Sequence, residues 1–283
     1  MSRTAYVNGE YLPLDQARVP VMDRGFLFAD GIYEVAAVLG GRLVDNAGHL
    51  ARLERSLSEI GIANPHTAEA WERIETELVA RNGLVEGLVY LQVTRGVAER
   101  DFSFPAAGTP ATVVAFTQAK NITSNPLAES GARVVTVEDL RWKRRDIKSV
   151  ALLAQVLAKQ QAAEAGVAEA WMVEDGAVTE GSSSTAFIVS RERVLVTRPL
   201  STALLPGITR ASVLKLAAEA DLRVEERLFS VAEAYEAQEA FYTSASAFVM
   251  PVVEIDGRPI GEGRPGPLTR RLRELYIETA RQG

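Results

Sequence analysis

Short β-rich runs closed by two-residue turns alternate, without a fixed rhythm, with stretches of helical period, and this irregular alternation limits the possible folds more than any single motif. Residues 5–12 form a β-rich run broken by Asn8-Gly9, the strongest two-residue hairpin signal. Residues 32–39 are apolar and rich in β-branched side chains; Gly40-Gly41 turns the chain and Arg42-Leu43-Val44 returns it. A helical period follows. Leu50, Leu53, Leu57 and Ile60 recur before a stop at Gly61, and 68–82 repeats the pattern up to Asn82-Gly83. Residues 87–96 and 111–117 are predicted strands. Beyond them come a strand at 132–137, a helix of good formers at 149–165 and a meander over 169–179, 185–189 and 193–197. A helix at 209–220, a short strand at 240–242, a hairpin at 252–258 and a closing helix at 267–279 complete the chain. Regular βαβ alternation is missing, which argues a mixed α+β fold over a doubly wound parallel sheet. The polar, punctuated stretch 118–126 reads as a link between two domains. The expected division is a smaller N-terminal α/β domain over 1–120, a linker at 121–126 and a larger C-terminal domain over 127–283.

Composition removes several classes of function. With no cysteine, thiolate catalysis, disulfides and cysteine-based zinc sites are excluded. The two histidines, His49 and His66, are too few for a histidine-rich metal site, so no metal is expected; His49 should cap or line a helix start. The formal net charge is −6, and the only concentrated positive stretch is Arg141, Lys143, Arg144 and Arg145, so no nucleic-acid partner is expected. No apolar run approaches the roughly 20 residues that span a bilayer, so no membrane association is expected. Residues 1–6 lack the apolar core of a signal peptide, which points to the cytoplasm.

Three segments carry residues with chemistry. Lys148 follows that cationic cluster and Asp146, at the expected start of the 149–165 helix. A lysine there can be a solvated end charge. Two features favour a reactive amine: apolar Ile147, Val150, Leu152 and Leu153 around it, and four cations just upstream, both of which would depress its pKa. Glu180 ends a predicted strand ahead of Gly181 and Ser182, Ser183 and Ser184. It is either a turn glutamate or a carboxylate aimed at a ring nitrogen, with the serines orienting it. Leu205-Pro206-Gly207-Ile208-Thr209-Arg210 leads into a helix, either as an ordinary loop or as an anion seat of free N–H groups at the positive end of the dipole. An amine, a carboxylate and a helix start are the three groups needed to hold pyridoxal phosphate. Arg52 could give a phosphate a bidentate partner or be a solvated helix arginine. The small polar loop Ser244-Ala245-Ser246 is either a turn or part of the same cup. Tyr33 is either a core tyrosine or, with the loop residue Arg100, part of a grip on a carboxylate.

Taken in order, these segments resemble the class IV, fold-type IV pyridoxal-phosphate aminotransferases. The likeness rests on Asp23-Arg24-Gly25, Asp30-Gly31-Ile32-Tyr33-Glu34-Val35, His49 to Leu53, Gln92-Val93-Thr94-Arg95-Gly96, Asp146-Ile147-Lys148-Ser149, Leu157-Ala158-Lys159-Gln160, Thr179 to Ser184, Gly207-Ile208-Thr209-Arg210 and Val253-Glu254-Ile255-Asp256-Gly257. Within the family it is greatest to the D-amino-acid aminotransferases. The resemblance implies a two-domain fold with pyridoxal 5′-phosphate between the domains, in a homodimer whose active site lies at the subunit interface. It implies that Lys148 bonds the cofactor's aldehyde and moves the proton, that Glu180 pairs with the ring nitrogen, and that Leu205 lies against the ring. Arg52, Ile208, Thr209, Ser244, Ala245 and Ser246 would hold the phosphate, with Ser182 and Ser183 beside the cofactor. Tyr33, Val35, Arg100 and Phe102 would meet the substrate, Arg100 coming from the other subunit. The implied reaction is transamination between a D-amino acid of the D-alanine type and a 2-oxo acid such as 2-oxoglutarate or pyruvate. An (R)-amine or branched-chain transaminase and a 4-amino-4-deoxychorismate lyase share the fold and are the alternatives.

Two positions depart from the D-alanine pattern. Phe102 stands where those enzymes carry a histidine, and a phenylalanine cannot donate a hydrogen bond to a carboxylate. The lost donor is worth roughly 1.5–3 kcal/mol. Ala245 is the second departure, a place without a hydroxyl in the phosphate loop, for which Ser244, Ser246 and backbone N–H groups could compensate.

Overall fold

The computed structural model describes residues 3–220 and 222–282. Its contacts divide the chain into two compact units: one runs up to Asn121 and takes in Ile147–Ala151, the other comprises Ile122–Asp146 and Leu152–Gln282.

The first unit is built on one sheet. Strands β1 (Thr4–Val7) and β2 (Glu10–Pro13) form the expected hairpin, and both turn residues, Asn8 and Gly9, have positive φ. Helix α1 (Arg24–Phe28) follows; five residues are too few to show a period in sequence. Strands β3 (Gly31–Leu39) and β4 (Arg42–Val44) flank the Gly40-Gly41 turn. Helices α2 (Asn46–Glu59) and α3 (Ala68–Arg81) come next, then strands β5 (Glu86–Thr94) and β6 (Thr112–Ala119). The strand order is β2-β1-β6-β5-β3-β4, antiparallel at every pairing.

The two-residue period of the strands sorts the side chains. Ile32, Leu91, Val93, Val113 and Ala115 face the helices and pack with Leu53, Leu57, Trp71 and Leu78. One step out of phase, Tyr33, Tyr90 and Phe116 form a ladder on the opposite face, with ring centroids 5.6 Å and 4.8 Å apart.

Buried within the helical layer is an acid. Glu75 on α3 is 1% exposed, and its hydrogen-bond partner is the neutral Asn46 amide at 2.8 Å. Burial pushes its carboxyl from the ordinary 4.5 up to about 7; the Asn46 bond opposes this, while Glu34 and Glu72 add to it. The folded chain therefore favours neutral Glu75. Below the unfolded pKa both states hold the proton and nothing is lost; as pH rises through about 7 the fold must ionise a buried acid and loses stability. Glu75→Gln should match the parent in urea unfolding near pH 4 and exceed it by roughly 1–3 kcal/mol at pH 8. An equal difference at both pH values would contradict this.

In the second unit, helix α4 (Pro126–Ser130) starts at the last residue of the stretch read as linker: Asn125 caps it by accepting from the Leu127 N–H, and Pro126 suits its first turn. Then follow β7 (Ala132–Glu138), α5 (Leu153–Glu164), β8 (Glu169–Glu174), β9 (Ala177–Gly181), β10 (Thr185–Val189), β11 (Leu195–Thr197) and α6 (Ile208–Glu219). The chain ends with β12 (Val224–Glu226), α7 (Val231–Tyr235), β13 (Glu239–Ser244), β14 (Phe248–Ile255), β15 (Arg258–Pro259) and α8 (Pro267–Gln282). The sheet runs β12-β11-β10-β13-β14-β7-β8-β9, with β15 on β14. It is mixed: β7 pairs in parallel with β8 across the α5 crossover, and also with β14. The expected meander is not continuous, because β10 pairs with β11 and β13 while β9 pairs with β8.

The predicted 149–165 helix also needs correction: it starts at Leu153, so Lys148 is not at a helix start. Residues 147–151 are held by β3 instead. Ile32 and Ser149 form a bridge, the Tyr33 N–H donates to the Lys148 carbonyl at 2.9 Å, and the Val150 N–H donates to the Gly31 carbonyl at 3.0 Å. Ser149 and Val150 are weak helix formers, and buried Ile147 anchors the segment in the first unit's core.

Candidate active site

In the first unit, the Lys148 amine lies 4.1 Å from the centroid of the Tyr33 ring, and the Lys148 N–H donates to Ser56 Oγ at 3.4 Å. The side chain thus ends on the aromatic ladder. Its expected surroundings differ in two respects. Leu153 is exposed. The four cations upstream are each paired with a carboxylate: Arg141 with Asp139 (2.7 Å), Lys143 with Glu174 (2.6 Å), Arg144 with Asp146 (3.1 Å) and Arg145 with Glu174 (2.7 Å). They do not form the bare positive cluster that the sequence suggested.

Directly after Tyr33, the strand period turns Glu34 to the helix side, where His49 and Arg52 meet it from one face of α2. Arg52 grips Glu34 bidentately at 2.7 and 2.8 Å, and His49 Nδ1 lies 2.8 Å from Glu34 Oε2. Burial alone would raise the Glu34 pKa, but the charge and hydrogen bonds of Arg52, with help from His49, hold it at about 2. The Arg52 fork expected on a phosphate therefore holds this carboxylate. His49 lines the first turns of α2, as expected, and ties that helix to β3.

Within the second unit, Glu180 near the end of β9 is buried, and what orients it is not the serines. Arg141 Nη1 donates to Glu180 Oε1, and the Leu205 N–H is shared between the two carboxylate oxygens at 3.2 and 3.3 Å. Arg141 is itself clamped by Asp139 at 2.9 and 2.7 Å, and the Thr179 hydroxyl donates to Asp139 at 2.7 Å. Burial raises the Glu180 pKa against the opposing pull of Arg141 and the Leu205 N–H. Asp139 is also pushed up by burial, but the Arg141 fork and Thr179 outweigh that and lower it. The acid with the larger share of the fork is held ionised; the other gains proton affinity. The Ser182 and Ser184 hydroxyls donate to Glu169, a correction to their expected role, and Ser183 is exposed.

Donor groups of the kind an anion seat needs gather at one end of the second unit's sheet. Gly207 is the N-cap of α6 with no side-chain cap, which leaves the N–H groups of Ile208 and Thr209 at the positive end of the helix. A Cβ on Gly207 would stand 2.8 Å from Thr185 Oγ1, so only glycine lets the loop come this close to β10. Thr185 is opposite Thr243 across the β10–β13 pairing, and Ser244 is the next residue, at the turn into β14. Ser244 Oγ and Ser246 Oγ lie 3.4 Å apart, and buried Thr243 Oγ1 has no hydrogen-bond partner among the described residues. Hydroxyl and N–H donors around a helix start suit the phosphate of pyridoxal phosphate, and a buried, oriented carboxylate suits its basic ring nitrogen. The donor set fits the cofactor.

Of the expected substrate residues, Val35 lies on the ladder face with Tyr33, half-buried. Arg100 is exposed, and Phe102 is 80% exposed with its ring 5.6 Å from Phe28. Sequence reasoning missed Glu34, Ser56, Asp139 and the Arg141–Glu180 pair. Glu34 alone left a signal, a charge in an apolar strand that requires a buried partner.

Residues 31–255 match the amino-transferase class IV family. The chain is similar to D-alanine aminotransferase of Staphylococcus aureus (strain MSSA476), 40% identical with 97% of this chain and 98% of that one covered. It is similar to D-alanine aminotransferase of Bacillus licheniformis at 41% identity, with the same shares covered. Among solved structures it resembles the branched-chain amino acid aminotransferase of T.th. with pyridoxamine 5′-phosphate, with a TM-score of 0.91, 27% identity, and 99% of this chain and 94% of that one covered.

Proposed function

The chain belongs to the class IV aminotransferases, a pyridoxal-phosphate-dependent family, and from that premise we propose that it moves an amino group between a D-amino acid of the D-alanine type and a 2-oxo acid. The observation that carries this is the reach of the likeness: 97% of the chain at 40% identity to a D-alanine aminotransferase.

When bound, the cofactor supplies an electrophilic aldehyde and an electron-accepting ring. The protein's residues do the rest. The Lys148 amine, set against Tyr33, would hold the cofactor through its aldehyde and, once displaced by the substrate's amine, would be free to carry the proton from and to the substrate's α-carbon. Glu180 would pair with the ring nitrogen, and the proton affinity that burial gives it would favour a proton held between the two. Leu205 orients Glu180 through its main chain. The Ile208 and Thr209 N–H groups, with Ser244 and Ser246, would hold the phosphate. Tyr33, Val35 and Arg100 position the substrate, with Arg100 on its carboxylate. We take the two compact units as separate domains.

We further propose a cytoplasmic homodimer. Val21, Phe26, Phe102 and Phe104, all more than half exposed in the first unit, support a covered interface. No described helix is long and apolar enough to cross a membrane. Phe102 supports a second reading, primary (R)-amines as donors, because it replaces a carboxylate donor by an apolar ring.

Holoenzyme mixed with D-alanine and no acceptor should release one equivalent of pyruvate per site and stop, while L-alanine should release none. Continued release, or none from D-alanine, would overturn the proposal.

A further inference from the structure

Arg24 is a buried cation whose donors reach the arm that carries Arg100. Its Nε donates to Asp30 Oδ2 at 2.8 Å, and its Nη1 donates to the main-chain carbonyls of Asp101 at 2.7 Å and Ser103 at 3.2 Å. Those two carbonyls flank Phe102. The Arg24 guanidinium carbon also lies 4.7 Å from the Phe28 ring centroid, and that of Arg100 lies 5.2 Å from the same ring and 5.7 Å from the Phe102 ring. Asp30 ties in a second cation: Arg95 grips it at 2.8 and 3.0 Å and lies 3.6 Å over the Phe104 ring.

Burial alone would weaken Asp30 as an anion, but hydrogen bonds from Arg95 and Arg24 lower its pKa. The anchor is thus charged at neutral pH. Within the subunit, the Arg24 bonds to the Asp101 and Ser103 carbonyls tie the exposed Arg100, Asp101 and Phe102 to the core.

We propose that Arg24 is a positioning residue for substrate capture: by holding the Asp101 and Ser103 carbonyls it fixes where Arg100 presents its guanidinium, and the Phe28 and Phe102 rings confine that guanidinium from the side. This rests on the reading of Arg100 as the holder of the substrate carboxylate. It gives Phe102 a function in place of the hydrogen bond it cannot make. The ring preorganises the remaining donor, so the arm loses less of its freedom when a carboxylate binds.

The test is a cycle of variants in the holoenzyme. Arg24→Lys keeps a charge beside Asp30, but one ammonium cannot reproduce the planar fork that spans Asp30 and the carbonyls. It should raise KM for D-alanine about tenfold with kcat within about twofold. Arg100→Met should raise KM at least as much, and adding Arg24→Lys to it should change nothing further. Amide exchange over 99–104 should accelerate in Arg24→Lys and stay unchanged in α2 and α3. Should Arg24→Lys fail to fold, Phe28→Leu serves, with a KM rise of about threefold at constant kcat.

Unchanged KM in Arg24→Lys beside a raised KM in Arg100→Met would sink this inference and leave the carboxylate reading standing. Unchanged KM in Arg100→Met would sink both. KM effects that multiply in the double variant would show that Arg24 acts elsewhere and overturn the proposal.

Discussion

Lys148→Ala should abolish transamination, with kcat down at least about 10³-fold, because the proposed function asks one side chain to be both the nucleophile and the proton carrier. The fold should survive. Lys148 serves the structure through its main chain, its carbonyl accepting from Tyr33 and its N–H donating to Ser56, and alanine retains both. The side chain itself is only half-buried and ends on an aromatic ring. Unfolding of the variant should therefore stay within about 1 kcal/mol of the parent. A variant that kept a tenth of the parent's kcat would show that another group does this work.

Arg141→Met should be costly in stability as well as in catalysis. The Arg141 side chain is 5% exposed and lies between two buried acids, Asp139 and Glu180. Its removal leaves Glu180 without its cation and Asp139 with only Arg145, at 3.4 Å, a loss of about 3–5 kcal/mol when a buried pair is broken from one side. The pH dependence carries the sign. Asp139 has a lowered pKa in the fold, so its contribution is present above the unfolded carboxylate value and is lost as pH falls through the folded one. Urea unfolding of the apoprotein should thus show the full deficit at pH 7 and a smaller one in acid. Arg141→Lys should fall between, since an ammonium keeps the charge but not the fork. A deficit below about 1 kcal/mol at pH 7 would mean that this ion pair is not what holds Glu180.

The elements legible in sequence were those whose cause is local. Asn8 and Gly40 both adopt positive φ at the turns where the residue pairs pointed. α2 and α3 stood out because fourteen residues repeat the period enough times to be read. α1, α4 and α7, at five residues each, repeat nothing. The first turn of the 149–165 helix failed because pairing with Ile32 overrode the tendency of that stretch. Strand order is not local either, and nothing between β9 and β10 announces that β10 joins β13.

At the site, types of residue were legible and their partners were not. Lys148 and Glu180 stood out as rare groups beside apolar or small neighbours. Arg141 was visible only as one cation among four, since its bond to Glu180 spans 39 residues. Ser182 and Ser184 were assigned to the carboxylate next to them in sequence, whereas the fold gives them Glu169 on the neighbouring strand. At Gly207 the helix start was legible, but its close approach to Thr185 comes from a strand that the sequence does not place beside it.

Borohydride reduction of the holoenzyme, followed by peptide mass mapping, is the most direct test, because it fixes the cofactor to whichever amine it is bonded to. The pyridoxyl mass should appear on the peptide that contains Lys148 and on no other. A label on Lys120, Lys143, Lys159 or Lys215, or no label at all, would contradict the assignment of Lys148 as the residue on which the chemistry turns.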